Sequence, residues 1–129
     1  MKRTNISSNA KWEDIVGYSR AVRIGQIIEV AGTTAVDGDQ IIGKGSPYNQ
    51  AMFIFDKIEK ALLSAGASLK DVVRTRIYVT NIEQWEEIGK AHGNYFSEIK
   101  PATTMVEVSK LIHPDMLLEV EVSAVVTEE

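Results

Sequence analysis

Leu118-Glu119-Val120-Glu121-Val122-Ser123-Ala124-Val125-Val126 alternates apolar and polar side chains through its first seven residues, which is the period of a strand with one buried face. Leu118, Val120, Val122, Ala124 and Val126 make an apolar row. Leu117, Glu119, Glu121 and Ser123 make the opposite one. The expected strand runs from Met116 to Val126, and an earlier strand, Thr103 to Val108, precedes it across a loop containing His113-Pro114-Asp115. Further back, Val72 to Thr80 alternates as well: Val73, Thr75, Ile77 and Val79 point one way, Arg74, Arg76 and Tyr78 the other. That is a strand with one charged face.

Two helices separate these strands. Ser46-Pro47 offers an N-cap hydroxyl and a proline at the first helical position, and Ala51, Ile54, Ile58, Ala61, Leu62 and Ala65 recur at helical spacing up to Gly66. Asn81, with Gln84 three residues on, predicts the start of a second helix. Its inner stripe is Trp85, Ile88, His92 and Tyr95 or Phe96, and it ends before Pro101. Toward the N-terminus, Tyr18 to Ala31 reads as two antiparallel strands turning at Ile24-Gly25-Gln26, and Asp37-Gly38 turns into a brief third strand at Gln40 to Ile42. The order β-β-(β)-α-β-α-β-β predicts a single α+β domain spanning residues 1–129, with both helices on one face of the sheet. The face carrying Arg74, Arg76, Tyr78, Glu119 and Glu121 is left for solvent or for ion pairs in an oligomer, and burial between copies is the expectation.

The 129 residues are 44% hydrophobic and 25% charged, an ordinary globular balance. With no cysteine there is no disulfide framework, thiolate metal site or cysteine nucleophile. A net charge of −4 and the lack of a basic stripe interleaved with aromatics set the chain apart from proteins that track phosphate backbones. No apolar run approaches the length of a membrane span, and Met1-Lys2-Arg3-Thr4-Asn5 leads into polar residues where a signal peptide needs an apolar core. The expectation is a cytoplasmic protein with no nucleic-acid partner, no membrane and no cofactor.

Pro101-Ala102-Thr103-Thr104-Met105-Val106-Glu107-Val108-Ser109-Lys110-Leu111, followed by Leu118-Glu119-Val120-Glu121-Val122-Ser123-Ala124, resembles the signature of the Rid (YjgF) family of enamine/imine deaminases, also labelled endoribonuclease L-PSP. Its pattern is Pro-Ala-Arg, two residues, Val-Glu-Val, then a Glu-x-Glu strand. Gly17-Tyr18, Ile27 to Thr33, Ala65 to Val73 and Trp85 to Phe96 fall where that family has comparable segments. The resemblance implies a chorismate-mutase-like fold and a homotrimer with small-molecule pockets between subunits. It further implies that Glu119 positions water, that Tyr18 closes the pocket, and that Gly32, Thr103 and the Met105 amide line it. The chain departs from the pattern at one position: Thr103 stands where deaminating members carry an arginine, and a neutral hydroxyl forms no bidentate pair with a carboxylate. Efficient deamination of amino-acid imines is therefore not expected, and the chain resembles the arginine-less branches of the family.

Each candidate also has a plainer reading. Glu119 is either a site carboxylate or one more charge beside Glu121, and Tyr18 is either a lid or a packing residue. Arg20, two residues beyond Tyr18 on the same extended face, either returns a guanidinium to the pocket or is solvated or paired at an interface. Arg76 offers the same replacement unless Glu119 or Glu121 neutralises it across the sheet. His92 is a ligand-binding candidate or a hydrogen-bonded core histidine. His113 has no carboxylate pattern at chelating spacing, and no metal is expected. Three functions follow: hydrolysis of an enamine, imine or related small carbonyl-derived metabolite; non-catalytic metabolite binding by a trimer; and, last, endoribonuclease activity.

Overall fold

The computed structural model describes residues 1–127. Six strands form one sheet in the order β1 (Arg3–Ile6), β2 (Ala21–Ile24), β3 (Ile27–Thr33), β8 (Leu118–Val125), β6 (Val72–Val79) and β7 (Ala102–Glu107). The helices α1 (Pro47–Ser64) and α2 (Trp85–Phe96) pack against one another, and α1 lies on β3 and β8. β8 is antiparallel to both β3 and β6, whereas β6 and β7 run parallel across the α2 connection. The inward row of β8 is read correctly from its alternation: Leu118, Val120, Val122 and Ala124 are all buried. So is the α1 stripe from Ala51 to Ala65, packed around Phe55, Ile28 and Ile77.

Local chemistry sets the element ends. The Ser46 hydroxyl accepts the Asn49 amide at 3.1 Å, with Pro47 as the first helical residue. Gly25 supplies the positive φ of 59° that the β2–β3 hairpin turn needs. Fully buried Gln50 accepts the Leu117 amide at 2.9 Å and donates to the Asp115 carbonyl at 2.9 Å, so α1 holds the entry to β8 in place.

Four details differ from the sequence expectation. β1 was not expected; it is an exposed edge strand with no inward row to give it a periodic signal. Val36–Asp37 and Gln40–Ile41 form a separate two-stranded ribbon, β4 and β5, which stands apart from the main sheet. The pairing of β6 with β8 shifts register between Val72 and Arg74, so Val72 takes the core position and Val73 turns out, 47% exposed. Asn81 caps a short 3-10 turn, Ile82–Gln84, ahead of α2, which leaves Trp85 55% exposed while Ala91 joins Ile88 and Phe96 inside.

Candidate functional site

The structure divides the sequence candidates between three places. Glu119, Arg20 and Gly32 come together where β8 meets β3. The β3–β8 register shifts between Val30 and Thr33, and Gly32 sits in that irregular stretch with the Glu119 side chain laid over it. A Cβ at Gly32 would overlap a Glu119 carboxylate oxygen and lie 3.0 Å from its Cδ, so only glycine leaves room for the carboxylate there. Arg20 donates from Nη2 to the Gly32 carbonyl at 2.6 Å. Its Nε is buried with no hydrogen-bond partner, and it belongs to none of the ion pairs within 4.0 Å among the described residues.

The electrostatics follow from burial. Desolvation raises the Glu119 carboxyl above its ordinary value of 4.5; the nearby Arg20 charge pulls it partly back, and Glu121 adds to the rise. Desolvation likewise disfavours the Arg20 cation, and the charges of Glu13 and Glu119 act against that. A carboxylate that gives up a proton reluctantly also takes one readily, a property suited to general-base work on water.

Tyr18 lies on the rim of an adjoining open cleft of about 800 Å³, which it lines together with Val22, Glu29, Arg76 and Glu121. Glu119 and Arg20 lie outside that lining. The segment carrying Tyr18 is held by Glu13, whose carboxylate accepts from Ser7 Oγ at 2.9 Å, from the Ser8 amide at 3.1 Å and from the Ser8 hydroxyl. Burial raises the Glu13 carboxyl, but these hydrogen bonds outweigh it and leave a net lowering. Glu13 then accepts the Tyr18 amide through its own carbonyl at 3.0 Å, closing a π-helical turn, Glu13–Gly17. Sequence reasoning missed Glu13; the closely preceding Ser7-Ser8 pair was its only signal.

Arg76 stands directly across from Glu121 in register, with Nε 4.0 Å from Oε1, and Tyr78 donates its hydroxyl to the same carboxylate at 2.7 Å. The two carboxylates of the Glu-x-Glu strand thus have different company: Glu121 is engaged by Arg76 and Tyr78, while Glu119 turns to Gly32 and Arg20.

Thr103, Met105 and His92 form the third group, on the helix-covered side of β7. Thr103 pairs in register with fully buried Thr75, and their hydroxyl oxygens are 2.8 Å apart. His92 Nε2 lies 2.9 Å from the Thr75 hydroxyl and 3.5 Å from that of Thr103. The Met105 side chain packs against the core. The Val108 amide donates to the Val79 carbonyl, and amide direction alternates along a strand, so the amides of Thr103 and Met105 face the open edge of the sheet. Within one chain β6 separates this group from Glu119.

A family model described as Endoribonuclease L-PSP matches residues 9–126. The chain belongs to the Rid/YjgF family. It is 35% identical over 119 residues to the uncharacterized protein SCO2049 of Streptomyces coelicolor, covering 92% of this chain and 89% of that one. It is 30% identical over 104 residues to the 3-aminoacrylate deaminase RutC of Acinetobacter baylyi, covering 80% and 82%. Among solved structures, Rv2704 of Mycobacterium tuberculosis, a member of the YjgF/YER057c/UK114 family, superposes with a TM-score of 0.87 at 50% identity over 97% of this chain and all of that one.

Proposed function

We propose that this Rid-family protein is a hydrolase for an enamine, imine or related small carbonyl-derived metabolite, working as a cytoplasmic homotrimer of the arginine-less branch. The observation that carries the reading is the Glu119 carboxylate, desolvated, seated on the bare face of Gly32 beside a half-buried arginine, Arg20, whose Nε is buried without a hydrogen-bond partner and which has no ion-pair partner among the described residues. The deaminase relative at 30% identity supports the same chemistry.

In this reading Glu119 orients a water molecule toward the C=N carbon and takes its proton as the C–O bond forms. The same carboxyl passes that proton to the nitrogen, giving a carbinolamine, then moves the hydroxyl proton to the amine as the C–N bond breaks, and ammonia and a carbonyl compound leave. Arg20 holds charge near the reacting centre, and Tyr18 closes the cleft. The edge strand β7 of one subunit brings Thr103 and the Met105 amide to a neighbour's Glu119, since a single chain keeps them apart. Arg76 is given a structural part, because Glu121 already occupies it.

Ammonia release from iminoalanine generated in solution tests the proposal. The wild type is expected to exceed the spontaneous rate, and Glu119→Gln to lose about 10²- to 10⁴-fold of the catalysed part. A variant that turns over as fast as the wild type overturns the assignment. The wild type should itself be slower on iminoalanine than arginine-bearing relatives, by roughly the 2 to 5 kcal/mol that an unpaired buried charge costs. Thr103 favours one second reading, a trimer that binds metabolites without turning them over, for which no substrate would show Glu119-dependent catalysis. Endoribonuclease activity stays last, given the net charge of −4.

A further inference from the structure

The loop of residues 7–19, between β1 and β2, turns its apolar side chains out and a carboxylate in. Trp12, Ile15 and Val16 are 54%, 67% and 69% exposed, whereas Glu13 is 5% exposed and is the one buried residue in the stretch 7–18. No side chain of the loop joins the hydrophobic core. Its two ends are tied at the sheet, where the Arg20 amide donates to the Ile6 carbonyl at 2.8 Å and Asn5 Nδ2 donates to Ser19 Oγ at 2.8 Å. A surface loop with joined ends and no apolar packing against the core keeps its shape through its own polar contacts.

Those contacts converge on Glu13. Its Oε1 accepts from Ser7 Oγ, its Oε2 accepts from the Ser8 amide and the Ser8 hydroxyl, and its carbonyl accepts the Tyr18 amide at 3.0 Å. Three donors on two oxygens are the company an ionised carboxylate takes. One residue thus braces the outgoing arm of the loop, at Ser7 and Ser8, against the returning arm, at Tyr18. Arg3 and Asn5 just before the loop, and Gly17 and Tyr18 near its end, all line the cleft of about 800 Å³. The brace stands apart from the reacting carboxylate: Arg20 and Glu121 are the charges that act on Glu119, and Glu13 is not among them.

We propose that Glu13 is the positioning residue of a preformed lid, its carboxylate bracing the loop so that Tyr18 stands over the cleft before a ligand arrives. The inference rests on the reading of Tyr18 as the group that closes the cleft, and it names what holds that group in place. Tyr18 touches the ligand; Glu13 acts through Tyr18. Without the brace the loop samples open forms, and the apparent affinity falls in proportion to the closed fraction.

Amide hydrogen exchange of the full chain, followed by NMR, is the test, joined to the kinetics of ammonia release from iminoalanine. In Glu13→Ala the Tyr18 amide is expected to exchange about 30-fold faster than in the wild type, the worth of roughly one hydrogen bond to a charged group, while the amides of β6 and β8 keep their rates. Glu13→Gln is expected to recover most of the protection, because its amide oxygen can stand in for Oε2 and its NH2 can donate to Ser7 Oγ. KM for iminoalanine is expected to rise about tenfold in Glu13→Ala, with kcat within about twofold and the apparent pKa of the rate unchanged. Added to Tyr18→Ala, the same change is expected to raise KM no further, the sign that Glu13 acts through Tyr18. Wild-type exchange at Tyr18 in Glu13→Ala, a KM effect that adds to that of Tyr18→Ala, or a collapse of kcat with an altered pH profile would each overturn the lid. Ser8→Ala removes one exposed hydroxyl and is expected to speed Tyr18 exchange about fivefold; it keeps the test open if Glu13→Ala fails to fold, and wild-type exchange in it overturns the brace equally. Exchange needs no substrate, so a lack of Glu119-dependent ammonia release counts against the hydrolytic reading alone.

Discussion

Gly32 and Glu119 depend on one another at the scale of single residues. The carboxylate occupies the volume that any side chain at Gly32 would need, and what stands in the way is the far end of a flexible side chain. Gly32→Ala should therefore move the carboxylate rather than break the fold. Expected are a melting temperature near that of the wild type and a loss of about 10²-fold in turnover, the scale of an ångström-sized misplacement; a large drop in melting temperature with the specific activity of the folded fraction retained would contradict it. In the sequence Glu119 and Glu121 are indistinguishable members of one strand face, and resemblance alone singled out the first. Their separation becomes legible only through pairing: Arg76 stands across from Glu121, and the irregular stretch around Gly32 lies beside Glu119. Thr75 left a trace in the sequence, a hydroxyl in an otherwise aliphatic row. Its link to His92 and Thr103 joins residues 17 and 28 positions away, which no local pattern shows.

Elements whose signals are local were readable, and those defined by partners were not. The α1 stripe and its Ser46-Pro47 start are both present, because periodicity and capping act within a few residues. Ser46→Ala is expected to lower stability by about 1 kcal/mol through loss of the cap to the Asn49 amide, measured by chemical denaturation; no change would mean that the amide finds water at no cost. β1 has no buried row and is a strand only because β2 is beside it, with Arg3 opposite Ile24 through Ile6 opposite Ala21. The outward turn of Val73 has the same origin, since an irregularity in pairing with β8 is invisible in β6 read alone. Helical spacing carried back to Trp85 predicts an inward side chain, but the 3-10 turn Ile82–Gln84 sets the start of α2 and leaves Trp85 exposed.

For the whole molecule, the helices cover one side of the sheet and leave the other to half-buried Arg76, Tyr78, Glu119 and Glu121, of which Arg76 and Tyr78 engage Glu121 while Glu119 lies over Gly32. The α+β architecture followed from element order, and the family from residues spread along most of the chain. How copies assemble did not, because one chain's sequence holds half of any interface. The homotrimer proposal requires a sedimenting mass three times the 14.3 kDa of the chain, and a monomer at micromolar concentration would remove the shared site with it. The central claim, that a desolvated Glu119 carboxylate activates water, is tested most directly by the pH dependence of the catalysed rate after the spontaneous rate is subtracted. Burial raises this carboxyl above 4.5, so it is protonated and inactive as a base at low pH and gains its base form at a higher pH than an ordinary glutamate. The account predicts a catalysed rate that climbs with pH through an apparent pKa above 4.5 and then levels, with both the rate and its climb lost in Glu119→Gln. A catalysed rate whose pH profile is the same in wild type and Glu119→Gln would contradict it.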